Sequence, residues 1–200
     1  YEASADQLLR NRGNGRFEDV SHAAGIDTPA RRGMGAIAAD FNGDGRVDFY
    51  VANDAEENFL WINRGDGRFE NDALLSGTAV NAYGVAEASM GIVAEDFDQD
   101  RDFDLFITDD TQETNTLYVN DGKGWFEDQS VVSGLALPSL PWTGFGIAAL
   151  DVENDGDLDL FVANGAVRVI EAQRAAGIEP PLQQPDQLYV NDGMKFVDAR

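Results

Sequence analysis

Short apolar runs alternate with polar, glycine-rich breaks along this chain, and both recur in a fixed order. "GAIAADF", "GIVAEDF" and "GIAALDV" are small and apolar and end at an acidic cluster. "VDFYVAN", "FDLFITD" and "LDLFVAN" follow, mixing aromatic and β-branched residues as strands do. Then "FLWIN", "TLYVN" and "QLYVN" alternate, each leading into a turn of the form N-x-G-x-G-x-F or a near variant. Asn and Gly tolerate positive φ, so this turn predicts a hairpin, with Phe restarting the chain as a fourth strand.

The acidic clusters begin at Asp40, Asp96 and Asp151, a period of about 55 residues. The hairpin motif interleaves with them at "LLRNRGNGRFED" from Leu8, "LWINRGDGRFEN" from Leu60, "LYVNDGKGWFED" from Leu117 and "LYVNDGMKFVDA" from Leu188. Four short antiparallel strands per repeat predict an all-β fold made of β-propeller blades, since β-solenoid coils are usually shorter. The expected division is a blade part over 1–30, blades over 31–86 and 87–141, and a blade over 142–200 carrying an insertion at 165–187. That is about three and a half blades, fewer than propellers usually have. The expectation is a piece of a longer propeller; an assembly of several such chains is the alternative.

Two segments leave the pattern. Ser76 to Ser89 is a long connection between blades, and Gly165 to Gln187 is the insertion. Within the insertion "VRVIEAQRAAG" predicts a short helix stopped by Gly177, with the following Pro-Pro pair as loop.

Charge changes the picture more than composition does. The 200 residues include 14 basic and 37 acidic side chains, a net charge of −23, with 43% hydrophobic residues. The hydrophobic content excludes a disordered acidic tail. The acidity argues against nucleic acid and anionic membranes as partners, and it suits divalent cations. No cysteine is present, which excludes disulfides, thiolate metal sites and thiol catalysis. No apolar run approaches the length of a membrane span, so membrane insertion is not expected. The first residues show no signal-peptide pattern; for an exported protein the signal is expected upstream of residue 1 or already removed.

Within "DFNGDGRVD" oxygen-bearing side chains fall at alternate positions, as a hard cation with six to eight oxygen ligands requires. The candidate ligands are Asp40, Asn42, Asp44, the Arg46 carbonyl and Asp48 in loop one. In loop two they are Asp96, Asp98, Asp100, the Asp102 carbonyl and Asp104. In loop three they are Asp151, Glu153, Asp155, the Asp157 carbonyl and Asp159. Position 12 of each loop is Val51, Ile107 or Val162 rather than Glu, which rejects an EF-hand. The closing acid at position 9 instead starts the next strand, so up to three Ca²⁺ ions would each tie the first and second strands of one blade. Magnesium, which keeps its waters, is disfavoured. Arg101 stands where Gly is expected and predicts a strained turn or a weaker site; the longer Glu153 predicts coordination through water.

These motifs resemble the FG-GAP/VCBS repeats of integrin-α-like propellers, in particular the subgroup of cartilage acidic protein and of bacterial proteins carrying an ASPIC/UnbV domain. The resemblance runs over nearly the whole chain and rests on "MG-x-x-x-x-DFNGDG-x-x-D-x-Y-x-AND" and "N-x-G-x-G-x-F-x-D" followed by "SG" or "AG". It implies a calcium-binding propeller, usually seven-bladed, that is secreted, cell-surface or periplasmic. It implies no shared enzymatic activity.

Other side chains offer less. His22 is the single histidine and lacks the partners of a catalytic triad. Met34, Met90 and Phe145 share one blade position, and Trp61, Tyr118 and Tyr189 another, which predicts packing. Trp142 breaks the repeat and is a candidate contact for a sugar or partner. Arg31-Arg32 is a local cationic pair, and Asn53-Asp54 and Asp109-Asp110 end strands at one face. The reading that follows is a non-catalytic module binding a protein or glycan, with calcium stiffening its blades. The alternatives are a fragment of a calcium-containing propeller enzyme, of polysaccharide lyase or dehydratase type with its catalytic residues in other blades, and a structural subunit of a surface assembly.

Overall fold

A computed structural model describes residues 2–27, 29–169, 171–177 and 183–199. Strands β1 (Leu9–Gly13) and β2 (Arg16–Asp19) form a two-stranded hairpin. Three four-stranded antiparallel sheets follow. The first holds β3 (Gly33–Ala39), β4 (Asp48–Asn53), β5 (Phe59–Asn63) and β6 (Phe69–Asn71). The second holds β7 (Ile92–Glu95), β8 (Asp104–Ile107), β9 (Thr116–Asn120) and β10 (Phe126–Asp128). The third holds β11 (Gly144–Leu150), β12 (Asp159–Asn164), β13 (Gln187–Asn191) and β14 (Phe196–Asp198). In every sheet the strands lie in chain order, and the first strands β3, β7 and β11 stand side by side. These are propeller blades, as the repeat predicted.

Strand alternation builds the core. In β4, Tyr50 points into the layer between the first and second blades, while Phe49 and Val51 point back toward the β1–β2 hairpin. In β8, Leu105 and Ile107 enter the first of these layers and Phe106 enters the layer shared with the third blade. One strand thus feeds two cores. Trp61, Tyr118 and Tyr189 are buried at equivalent positions, as expected, each worth roughly 1.5–3 kcal/mol of burial. Met90 is buried too, but Met34 and Phe145 are exposed, which corrects the uniform packing role expected for this position.

The inner strands meet without side chains between them. A Cβ on Gly91 would lie 1.7 Å from the Phe145 carbonyl oxygen, and one on Gly35 would lie 2.6 Å from that of Met90. The glycine after each Met is therefore a contact surface for the next blade's backbone. The second residue of loops one and two also serves packing, whereas Val152 of loop three is exposed. Phe41 meets Phe126 edge-on at 6.2 Å, and Phe97 meets Phe196 in the same way at 6.3 Å.

Single helical turns follow the hairpins and were not read from the sequence: α1 (Ser21–Ala24), α2 (Ala73–Ser76) and α3 (Ser130–Ser133), with α4 (Ala136–Ser139) just after. Gly25, Gly77 and Gly134 end the first three in the left-handed conformation, which explains the "SG" and "AG" pairs. The predicted helix in the insertion is α5 (Glu171–Ala175), with Gly177 at φ +80°. The Pro-Pro pair lies outside the described residues. No helix among the described residues is long and apolar enough to cross a membrane.

Candidate metal centres

Each acidic loop joins the first and second strands of its blade: β3–β4, β7–β8 and β11–β12. All three fold alike because the carboxylate at position 1 caps the turn. Asp40 accepts from the amides of Asp44 (3.1 Å) and Gly45 (2.7 Å). Asp96 accepts from Asp100 and Arg101, both at 3.0 Å, and Asp151 from Asp155 (3.1 Å) and Gly156 (3.0 Å). At position 5, Asp44, Asp100 and Asp155 accept from the amides of Arg46, Asp102 and Asp157. At position 3, Asn42 and Asp98 accept from the amides of Asp44 and Asp100. Glu153 stands exposed at the same position, without such a bond among those described.

The position-9 acids are buried at the start of β4, β8 and β12. Asp48 accepts from Phe41 N (3.0 Å) with one oxygen and from Asn63 N (2.8 Å) with the other. Asp104 does the same with Phe97 N and Asn120 N, and Asp159 with Val152 N and Asn191 N. The hairpin asparagines reciprocate: their side-chain amides donate to the carbonyls of Val47, Phe103 and Leu158. The sequence suggested turn residues at these asparagines. Their repetition opposite each acidic loop was the available signal for a clamp.

Loop two has the strained turn expected of Arg101. Arg101 takes φ +83°, matching Gly45 at +81° and Gly156 at +101°, so the turn is kept and the strain is real. Oxygens of Asp96, Asp98 and Asp104 nevertheless lie within 4.8 Å of one another, and no other such group of His, Cys, Asp or Glu is found among the described residues. In loops one and three the position-3 group is an amide or the exposed Glu153. Burial, then the Asp100 charge, pushes the Asp102 carboxyl up to about 7. Burial raises Asp104 to about 6 against two backbone hydrogen bonds that lower it. Burial and then Asp100 raise Asp98, and burial raises Asp48. Carboxyls that burial, and then their neighbours' charge, make costly to ionise would be stabilised by a cation placed among them. The ligand atoms are all oxygens, which fits a hard ion of the calcium type. Arg46 and Asp157 differ in their side chains: the Arg46 guanidinium pairs with Asp44, whereas Asp157 binds Gln99 and Gly193.

The remaining candidates are engaged in other ways. His22 sits in α1, exposed, 2.9 Å from Asp27. Arg31 and Arg32 pair with Glu57 and Glu56. Trp142 is half-buried. Asp109 and Asn53 are buried, and Ser89 donates to Asp109 at 2.9 Å. Asp110 takes Thr143 Oγ1 at 2.7 Å and Arg168 at 3.0 Å, anchoring the insertion.

The sequence model of the family described as FG-GAP-like repeat matches residues 2–51, 40–107 and 96–162. Cartilage acidic protein 1 of Mus musculus is 29% identical over 166 residues, and that of Homo sapiens 28%, each alignment covering 79% of this chain. The chain spans about a quarter of the length of these relatives (25% and 24%). A solved structure of an Agrocybe aegerita lectin, described as recognising non-reducing terminal N-acetylglucosamine, aligns over 98% of this chain and 45% of its own. Its TM-score is 0.44 and its sequence identity 19%.

Proposed function

Taking as premise that this chain belongs to the FG-GAP-like repeat family, we propose that it is part of a calcium-stiffened propeller. It works outside the cytoplasm as a non-catalytic scaffold that presents a protein- or glycan-binding face. The observation that carries the reading is the threefold repetition of one loop, in which backbone amides aim the carboxylates and a buried acid closes the ring. Asp40, Asn42, Asp44, the Arg46 carbonyl and Asp48 would hold the first ion, and their counterparts in loops two and three the others. Bound calcium supplies positive charge where the carboxylates otherwise repel one another. The chain's own residues do the rest. Asp48, Asp104 and Asp159 fix the loop to the second and third strands, and Asn63, Asn120 and Asn191 hold it from the hairpin. Sites of this kind suit a compartment where calcium is at millimolar concentration.

Calorimetry in calcium and in chelator tests the reading. One site held at 100 times its Kd adds about 2.7 kcal/mol, roughly 5–10 °C in Tm for a chain of this size. A Tm unmoved by millimolar calcium would sink it.

A further inference from the structure

All three loops are left-handed at positions 4 and 6, and loop two fills both with residues that are strained there. Arg101 occupies the position of Gly45 and Gly156. Gln99 takes φ +65° where loop one has Gly43 and loop three has Asn154, residues at home in that region. A glutamine is kept there only when its surroundings fix it, and such strain points to a role. Its side chain supplies one. Gln99 Nε2 donates to the Gly156 carbonyl at 3.2 Å and to Asp157 Oδ1 at 2.7 Å, both in loop three. The other Asp157 oxygen accepts from Gly193 N at 2.8 Å, so the acceptor is braced from its own blade.

We propose that loops two and three bind their cations as a coupled pair, with Gln99 as the coupling residue, while loop one titrates independently of that link. The inference rests on the reading of these loops as cation sites. Gln99 lies between Asp98 and Asp100, two candidate ligands of its own loop. Its acceptors are position 6 and position 7 of the next loop, and the position-7 carbonyl is itself a candidate ligand. When loop three is held in place, the Gly156 carbonyl and the Asp157 carboxylate become fixed acceptors. Loop two then has less freedom to lose when it closes. The effect is reciprocal by linkage. Gly43 has no side chain to reach with, and the bridge between loops one and two is the Asn120 side chain, which holds the carbonyls of Phe41 and Phe103, neither of them a candidate ligand.

The test is a calcium titration of the chain followed by amide NMR. The amides of Gly45, Arg101 and Gly156 each donate to the position-1 Asp of their own loop and report the three loops separately. Disabling loop three with Asp151→Asn is expected to weaken loop two about fivefold, the low end of ordinary site–site coupling, and to leave loop one unchanged. Asp96→Asn is expected to weaken loop three by the same factor. In a Gln99→Gly background both effects vanish while all three loops still respond. If either ligand variant fails to fold, Gln99→Gly alone decides: it must lower the affinities of loops two and three and not that of loop one. An unchanged loop-two affinity in Asp151→Asn, or a transfer of equal size in Gln99→Gly, overturns the coupling and leaves the calcium reading standing. Three amides silent to millimolar calcium overturn both.

Discussion

The carboxylate of Asp48 holds the amide of Asn63 at 2.8 Å across 15 residues of sequence, while its other oxygen holds Phe41 N at 3.0 Å. One buried acid thereby joins the loop, the second strand and the third. Asp48→Ala should cost about 2–4 kcal/mol even without calcium, because two buried amides lose a charged acceptor. Asp48→Asn keeps one acceptor oxygen and should cost about half as much. Urea unfolding in chelator measures both; a loss below about 0.5 kcal/mol for the alanine variant contradicts this role.

Asp109 is buried, and one of its oxygens has no hydrogen-bond partner. Burial, then the Glu87 charge, hold its carboxyl well above the usual range; Ser89 lowers it, and Glu113 and Asp128 raise it further. The folded chain therefore keeps a proton that the unfolded chain releases near 3.8. That contribution is fully present below the unfolded value and is lost as pH rises through the folded one. Asp109→Asn, which installs the residue found at Asn53 and Asn164, should gain about 1–2 kcal/mol at pH 7. The gain should shrink toward pH 4. Paired unfolding curves across that range check the sign, and a gain that grows on acidification contradicts it.

Gly91 and Gly146 occupy the same blade position with different surroundings. A Cβ at Gly91 would strike the Phe145 oxygen, whereas one at Gly146 would meet only Ala163 Cβ, at 3.8 Å. Gly91→Ala should cost roughly 3 kcal/mol or more by forcing two blades apart, and Gly146→Ala should stay within about 0.5–1 kcal/mol of wild type. Equal Tm values for the two variants would refute the backbone-to-backbone joint.

Arg101→Gly should stabilise the calcium-free chain by about 1 kcal/mol, since glycine adopts φ +83° without Cβ strain. The readout is the urea midpoint in chelator. A destabilised variant would mean that the arginine side chain contributes more than its backbone strain removes.

The sequence was legible where one residue type has one physical use. The period-two runs and the repeated hairpin asparagines announced four strands per unit, and alternate oxygens announced the loops. What stayed hidden were residues with two uses. Asn63, Asn120 and Asn191 look like turn formers, and only their placement opposite Asp48, Asp104 and Asp159 shows them as clamps. Phe41 and Phe97 sit inside acidic motifs but pack on the following blade. Arg101 looked like a defect because propensity is local, while three converging carboxylates are set by the fold.

The Asn120 side-chain amide donates both to Phe103 O of its own blade, at 3.1 Å, and to Phe41 O of the preceding one, at 2.9 Å. The second blade thereby latches the first. A repeat copied in phase with this one would bring the same donor to the loop before it, so the joint can be inherited together with the unit that makes it. A cut that kept the Phe41 loop and lost the Asn120 hairpin would strip that carbonyl of this donor, so at this joint the inherited unit is defined by the latch rather than by the sheet.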